Sequence, residues 1–137
     1  MAGVLIFSEN QGLALELLTA ANSLNATAVS ACVINNDEQA QVLASAGVKV
    51  YAVKNNDLVM ADVGAVAGAI KQVADKAGAD TVLLASNRRG KELAGRLAQA
   101  MNAGCLTDVA AISIEGDKIM CQRNALGGAT VATQYID

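Results

Sequence analysis

Short runs of consecutive apolar residues alternate along the chain with segments whose apolar residues recur every three to four positions. The run Val4–Phe7 is typical of a strand that is buried on both faces. The next apolar residues follow a helical stripe at Leu13, Leu17, Ala21 and Leu24. The pattern therefore predicts that the chain begins with a buried strand, which is followed by a helix.

The same alternation continues as far as Gly104. The predicted strands are Thr27–Ile34, Lys49–Val53 and Thr81–Ala85. One predicted helix runs from Glu38 to about Ala44, with Gly47 past its end. Another follows the apolar positions Val63, Val66, Ile70 and Val73 and ends near Gly78. A third runs from about Gly90 to near Gly104. Strands that alternate with helices form a parallel sheet with helices on both faces.

The pattern changes after Gly104. Two strand-like runs, Asp108–Ile114 and Lys118–Gln122, flank the turn signal Glu115-Gly116-Asp117. A further alternating run covers Thr130–Tyr135. We therefore predict one α/β domain over the whole chain, a doubly wound, mainly parallel sheet with helices on both faces and antiparallel C-terminal strands.

Composition excludes several classes of protein. Apolar residues make up 53% of the 137 residues and charged residues 17%, which argues against disorder. The net charge of -3 argues against binding to nucleic acid. No apolar stretch is long enough to cross a membrane, and the N-terminus lacks the basic region of a signal peptide. We therefore expect a cytoplasmic protein whose cysteines, Cys32, Cys105 and Cys121, are reduced.

The chain contains no histidine, which excludes Ser-His triads, Cys-His pairs and most zinc sites. The acidic residues are scattered without the spacing of metal ligands. No nucleophile stands beside a base in the pattern. We therefore predict neither a catalytic residue nor a metal site.

One segment concentrates positive charge in this acidic chain. Four of its ten cations lie between positions 88 and 96: Arg88, Arg89, Lys91 and Arg96. The first three fall where a strand passes into a helix, whose N-terminus is already positive. Gly90 would let a ligand approach the backbone closely. We favour an anion site there, for a nucleotide phosphate or an acidic patch of a partner; the alternative is a solvated basic patch compensated by Glu92 and nearby acids.

The segment Ser8-Glu9-Asn10-Gln11-Gly12 follows the first strand and is a candidate for the wall of the same crevice. It lacks the glycine patterns of Rossmann and P-loop sites. The favoured interpretation of this segment is a helix-capping loop.

Three segments in order resemble the alpha subunits of electron transfer flavoproteins. Ser86–Ala98 resembles their T-S-x-x-G-R-D-L-A-P-R-L-A segment, and Asn102–Val109 is similar to the L-G-x-G-L-x-x-D-V continuation. Arg123 with Gly127-Gly128, followed by Ala-Thr, is similar to their R-P-x-x-G-G-x-x-x-A-T stretch. The chain departs from the pattern at Lys91-Glu92, where Arg-Asp is usual, and at positions 95 and 124, where Pro is usual.

The resemblance implies an N-terminal domain of an alpha subunit over residues 1–137, with the fold of adenine nucleotide alpha hydrolase-like proteins and without the family's C-terminal FAD-binding domain. It implies an electron-carrier subunit rather than an enzyme, which packs on a beta subunit and helps to enclose FAD held mainly by that other domain. AMP is possible on the partner subunit, and the electron donor would be an acyl-CoA-type or other flavoprotein dehydrogenase.

The resemblance also implies roles for particular residues. The cofactor- or anion-binding residues would be Ser86, Asn87, Arg88, Arg89, Gly90 and Lys91. The residues at the partner interface would be Arg123, Gly127 and Gly128.

The acidic charge, the βα alternation and the loop after the fourth strand leave a second hypothesis open. It is a stand-alone adenine-nucleotide-binding regulator similar to universal stress proteins. The glycine loop of that family is not present, because Gly90, Gly95 and Gly104 have a different spacing. A hydrolase of the same superfold is the least favoured alternative, since the chain has no histidine.

Overall fold

A computed structural model describes residues 3–22, 28–59, 61–85 and 88–102, and the backbone of residues 104–115, 118–123 and 129–133. The strands are β1 Gly3–Phe7, β2 Ala28–Ile34, β3 Lys49–Val53, β4 Thr81–Ala85, β5 Gly104–Glu115, β6 Lys118–Arg123 and β7 Ala129–Thr133. The helices are α1 Gln11–Asn22, α2 Asp37–Ser45, α3 Val63–Ala77 and α4 Arg88–Met101.

The described strands form one sheet of seven in the order β3-β2-β1-β4-β7-β5-β6. The four strands β3, β2, β1 and β4 are parallel to their neighbours. β7 pairs antiparallel with β4 and with β5, and β5 pairs antiparallel with β6. The predicted fold class, a mainly parallel doubly wound sheet with antiparallel C-terminal strands, is confirmed.

The two faces of the parallel strands carry separate apolar clusters, because successive side chains of a strand point to opposite faces. Val4, Ile6 and Leu83 pack with residues of α1 and α2. Leu5 and Leu84 pack on the other face with residues of α3 and α4. Every residue of β1 and β4 is buried, which explains why these strands read as continuous apolar runs.

Several boundaries differ from the prediction. α1 begins at Gln11 rather than near Leu13, and α4 begins at Arg88 rather than near Gly90. Gly90 is instead a buried residue of the first turn of α4. Arginine is a strong helix former, so the two residues before the glycine join the helix.

β5 begins at Gly104 rather than at Asp108. The reason is its pairing with β7 from the register Gly104↔Thr133 onward, which extends the strand through the irregularity between Leu106 and Val109. The predicted run Thr130–Tyr135 corresponds to β7, and its last two residues lie outside the described part of the chain, as do Leu24 and Thr27. None of the helices within the described ranges combines the length and apolar character that a membrane crossing requires.

Two glycines, one inside α3 and one directly after its last residue, give a test of this backbone. An added Cβ at Gly68, inside the helix, would meet no described atom within 4 Å, whereas Gly78 ends the helix at φ 70°. We expect Gly68→Ala to raise the free energy of unfolding by about 0.5–1 kcal/mol, because alanine loses less backbone entropy. Gly78→Ala should lower it by about 1 kcal/mol, because the left-handed conformation is costly for alanine. Urea denaturation monitored by circular dichroism measures both; a destabilised Gly68→Ala chain would contradict the open surface on this helix.

Candidate functional site

A crevice opens at the carboxyl ends of the neighbouring parallel strands β1 and β4. The helix after β1 packs on one face of the sheet and the helix after β4 packs on the other. Such a point of divergence is where open α/β sheets bind ligands. The crevice is shallow, with a cavity volume of about 10 Å³, and is lined by Phe7, Ser8, Glu9, Leu84, Ala85, Arg89, Gly90 and Leu93.

An ion pair crosses the crevice. The Arg89 Nη1 atom donates to the Glu9 Oε2 atom at 2.9 Å, and both side chains are 38% exposed. The pair joins the loop after β1 to the first turn of α4. Behind it, Phe7, Leu84 and Leu93 form an apolar floor. The crevice therefore combines hydrogen-bond donors with apolar walls and holds no net charge from this pair.

The predicted cations do not act as one group. The Arg88 side chain is 94% exposed, and its Nε atom lies 3.5 Å from the Glu92 Oε1 atom on the same helix. Lys91 is also exposed. The Arg96 guanidinium extends over α3, with Nη1 3.2 Å from the position that a Cβ on Gly64 would occupy. Only one of the four cations, Arg89, lines the crevice among the described residues, and Glu9 and Glu92 compensate two of them.

The other predicted site residues lie elsewhere or outside the described residues. Arg123 ends β6, which is the edge strand on the far side of the sheet from β3 and is separated from β4 by β7 and β5. Its backbone is therefore not part of the crevice. Ser86, Asn87, Gly127 and Gly128 lie outside the described part of the chain.

The loop after β1 has both functions that the sequence allowed. The Asn10 Oδ1 atom accepts a hydrogen bond from the Leu13 backbone N–H at 3.0 Å, so Asn10 caps α1 as predicted. Ser8 and Glu9 line the crevice at the same time. The Ser8 Oγ atom also accepts from the Asn10 backbone N–H at 3.1 Å, which fixes the loop between the strand and the helix.

Sequence analysis missed Gln39, whose buried side chain holds the loop after β1 that lines the crevice. Its side chain is 2% exposed, and its Nε2 atom donates to the Ser8 carbonyl oxygen at 2.9 Å. Its own backbone N–H donates to the Asn36 Oδ1 atom at 3.0 Å, which caps α2. The signal in the sequence was a polar residue on the apolar stripe of a helix, but nothing in the pattern identified its partner.

A second asparagine ties the next two loops together. Asn35 adopts a left-handed conformation at φ 53°, directly after β2. Its Nδ2 atom donates to the Asn55 carbonyl oxygen at 2.8 Å, and its Oδ1 atom accepts from the Asn55 N–H at 2.9 Å. The loops after β2 and β3 are thus fixed to each other beside the crevice.

Comparison with known proteins identifies the family. The family described as "Electron transfer flavoprotein domain" matches this chain over residues 4–136. This chain belongs to the electron transfer flavoprotein family. The family membership predicted from the three sequence segments is therefore confirmed.

Two curated relatives of this electron transfer flavoprotein domain come from Escherichia coli. Protein FixB of strain O6:K15:H31 (536 / UPEC) is 31% identical over 136 residues, which cover 97% of this chain and 42% of that protein. The putative electron transfer flavoprotein subunit YdiR of strain K12 is 29% identical over 135 residues, which cover 98% of this chain and 42% of that protein. The chain thus spans about two fifths of the length of these relatives.

The described residues of this electron transfer flavoprotein domain include no group of three or more histidine, cysteine or acidic side chains placed to hold a metal ion. Cys32 lies in β2 and is 1% exposed. Burial raises the pKa of its thiol from 9.0 to about 12, because the charged thiolate would lose its hydration. Cys32 is therefore a structural residue rather than a nucleophile.

The contribution of Gln39 is testable with a matched pair of variants. Gln39→Ala leaves the buried Ser8 carbonyl without its side-chain donor, so we expect the free energy of unfolding to fall by about 2 kcal/mol. Gln41→Ala makes the same change at an exposed position of α2 and should alter it by less than about 0.5 kcal/mol. Equal values for the two variants in urea denaturation would show that the buried hydrogen bond does not stabilise the loop.

The Cys32 thiol provides a pH-dependent prediction. In a chain that carries Cys105→Ala and Cys121→Ala, Cys32 should resist iodoacetamide until the protein unfolds. Because the folded state holds the thiol proton more tightly, its stabilisation is complete below pH 9 and declines as the pH rises toward 12. We therefore compare the Cys105→Ala/Cys121→Ala variant with the variant that also carries Cys32→Ala. The difference between their free energies of unfolding should shrink from pH 9 to pH 11. Rapid native labelling at pH 8, or a constant difference, would contradict the burial of this thiol.

Proposed function

We propose that this chain is an alpha-type electron transfer flavoprotein domain. It supports electron transfer from a flavoprotein dehydrogenase by packing on a beta-type subunit and by helping to enclose FAD. The observation that carries the proposal is the family match over residues 4–136, on a fold whose crevice opens where α1 and α4 diverge. The same match favours this function over a stand-alone regulator similar to universal stress proteins.

The size of the crevice supports a shared rather than a complete cofactor site. Small-molecule pockets enclose about 300–1,000 Å³, whereas the crevice formed by the described residues has a cavity volume of only about 10 Å³. The residues that line the crevice form only one wall of a site around a bound group. Its apolar floor excludes water, and Arg89 supplies N–H donors. A flavin, when bound, supplies the redox chemistry. The role of the chain is then to shape its surroundings, with most of the flavin contacts made by other parts of the assembly.

The exposed cations support a role in partner recognition. Arg88 and Lys91 lie in the first turn of α4 beside the crevice, with Glu92 next to Arg88, although the chain as a whole carries a net charge of -3. A local patch of opposite sign to the rest of a protein orients an approaching partner whose surface is acidic. We propose that the beta-type subunit presents that surface. Arg123, Gly127 and Gly128 remain proposed residues of a second part of the interface.

Association with a beta-type subunit tests the proposal directly. Co-expressed with such a subunit, the chain should elute from a sizing column as a complex, and the dissociation constant should rise steeply with salt. Arg88→Glu should weaken the complex by about tenfold, because it creates like-charge repulsion at the interface. Lys76→Glu makes the same charge change in the last turn of α3, away from the crevice, and should have little effect. Separate elution of the two proteins would overturn the proposal, and equal effects of both variants would refute the assigned surface.

A further inference from the structure

We infer that the outer edge of β3 and the adjoining side of α3 form a docking groove for an extended segment of a partner protein in which acidic and apolar residues alternate. β3 stands at the end of the sheet, where it pairs with β2 on one side and with no described strand on the other. A strand in this position presents backbone N–H and C=O groups to which a further strand can bond. The inference goes beyond the proposed function, because β2 separates β3 from β1 and its crevice.

The groove beside this edge is large enough to receive side chains of such a segment. Its volume is about 440 Å³, and binding pockets enclose about 300–1,000 Å³. One wall is Val50–Val53 of β3, and the other consists of Ala69, Gln72, Val73 and Lys76 of α3. Consecutive residues of a strand point to opposite faces, so a groove that all four residues line reaches the backbone edge of β3.

The β3 wall of the groove is mainly apolar. Tyr51 and Val53 pack against the core cluster beneath α3 and remain partly exposed. Edge strands are commonly protected against pairing by charged side chains. Of the five residues of β3 only Lys49 is charged, so this edge keeps an apolar surface on which a partner can bury its own apolar side chains.

Two cations border the groove without an acidic partner. The Lys49 Nζ atom lies 5.2 Å from the centroid of the Tyr51 ring, and Lys76 lines the groove in the last turn of α3. Neither forms an ion pair with an acidic side chain within the described ranges, whereas the neighbouring Lys54 and Lys71 each pair with an aspartate. The groove therefore carries uncompensated positive charge in a chain whose net charge is -3, which favours a segment that brings carboxylates.

The occupant follows from these features taken together. An extended segment bonds to the edge of β3 through its backbone, and every second side chain enters the groove. Apolar side chains meet Tyr51 and Val53, while carboxylates meet the two lysines. A second copy of β3 does not supply this charge, because its only charged residue is another Lys49.

A synthetic segment tests the inference with the 137-residue chain. The capped, fluorescently labelled peptide Val-Glu-Val-Glu-Val-Thr should bind with a dissociation constant below about 1 mM, measured by fluorescence anisotropy. The same peptide with glutamine in place of both glutamates should bind at least about threefold more weakly. Amide hydrogen exchange in β3 should slow when the glutamate peptide is bound, because the edge then gains a strand partner.

Variants of the lysines locate the charge interaction. Lys49→Gln/Lys76→Gln should bind the glutamate peptide about fivefold more weakly and no longer distinguish the two peptides. Lys54→Gln removes a charge at the opposite end of β3, from a lysine that already pairs with Asp37, and should change the affinity by less than about twofold. Thermal unfolding curves of each variant establish that it is folded.

Four results would overturn the inference. They are no binding of the glutamate peptide, equal binding of both peptides, an equal loss in Lys54→Gln and the double variant, and unchanged exchange in β3. The readout needs no beta-type subunit, so it separates this inference from the proposed function. Peptide binding without a heterodimer would retain the docking groove and remove the proposed subunit, and the reverse result would retain the subunit and remove the groove.

Discussion

The arrangement of β1 and β4 is the constraint on which the rest of the structure depends. The two strands are parallel neighbours, and the helices that follow them pack on opposite faces of the sheet. Their connections must therefore diverge at the carboxyl edge, and the divergence leaves a crevice that neither helix covers. The position of the candidate site follows from this topology before any particular side chain is considered.

Hydrogen bonds at the same edge make the divergence a fixed shape. Gln39 holds the loop after β1 from the direction of α2, and Asn35 holds the loop after β3 from the end of β2. Gln39 and the Ser8 carbonyl need each other, because an unsatisfied carbonyl or amide in the interior is costly, whereas the Asn35 bonds lie at the surface. Gln39 thus stabilises the fold and positions the wall of the crevice through the same contact.

The elements of the parallel part of the fold were predictable, because burial on both faces leaves a strong signal. Val4–Phe7 and Thr81–Ala85 contain almost only apolar residues, and they form the two central strands. The strand order was not predictable, since it depends on packing between distant segments. The first turn of α4 was misjudged because Gly90 marks a close approach to the core rather than a helix boundary.

The candidate site was predictable only in part, for a physical reason. The sequence shows Arg89 as one of several adjacent cations, but its partner Glu9 is 80 positions away, and Gln39 and Ser8 are separated by 31. Charge clustering therefore indicated an uncompensated positive site, whereas the fold pairs Arg89 with Glu9 and leaves the Arg88 side chain exposed. The net charge of such a cluster therefore cannot be determined from the cluster alone, because an acidic partner that the fold brings from 80 positions away compensates one of its members.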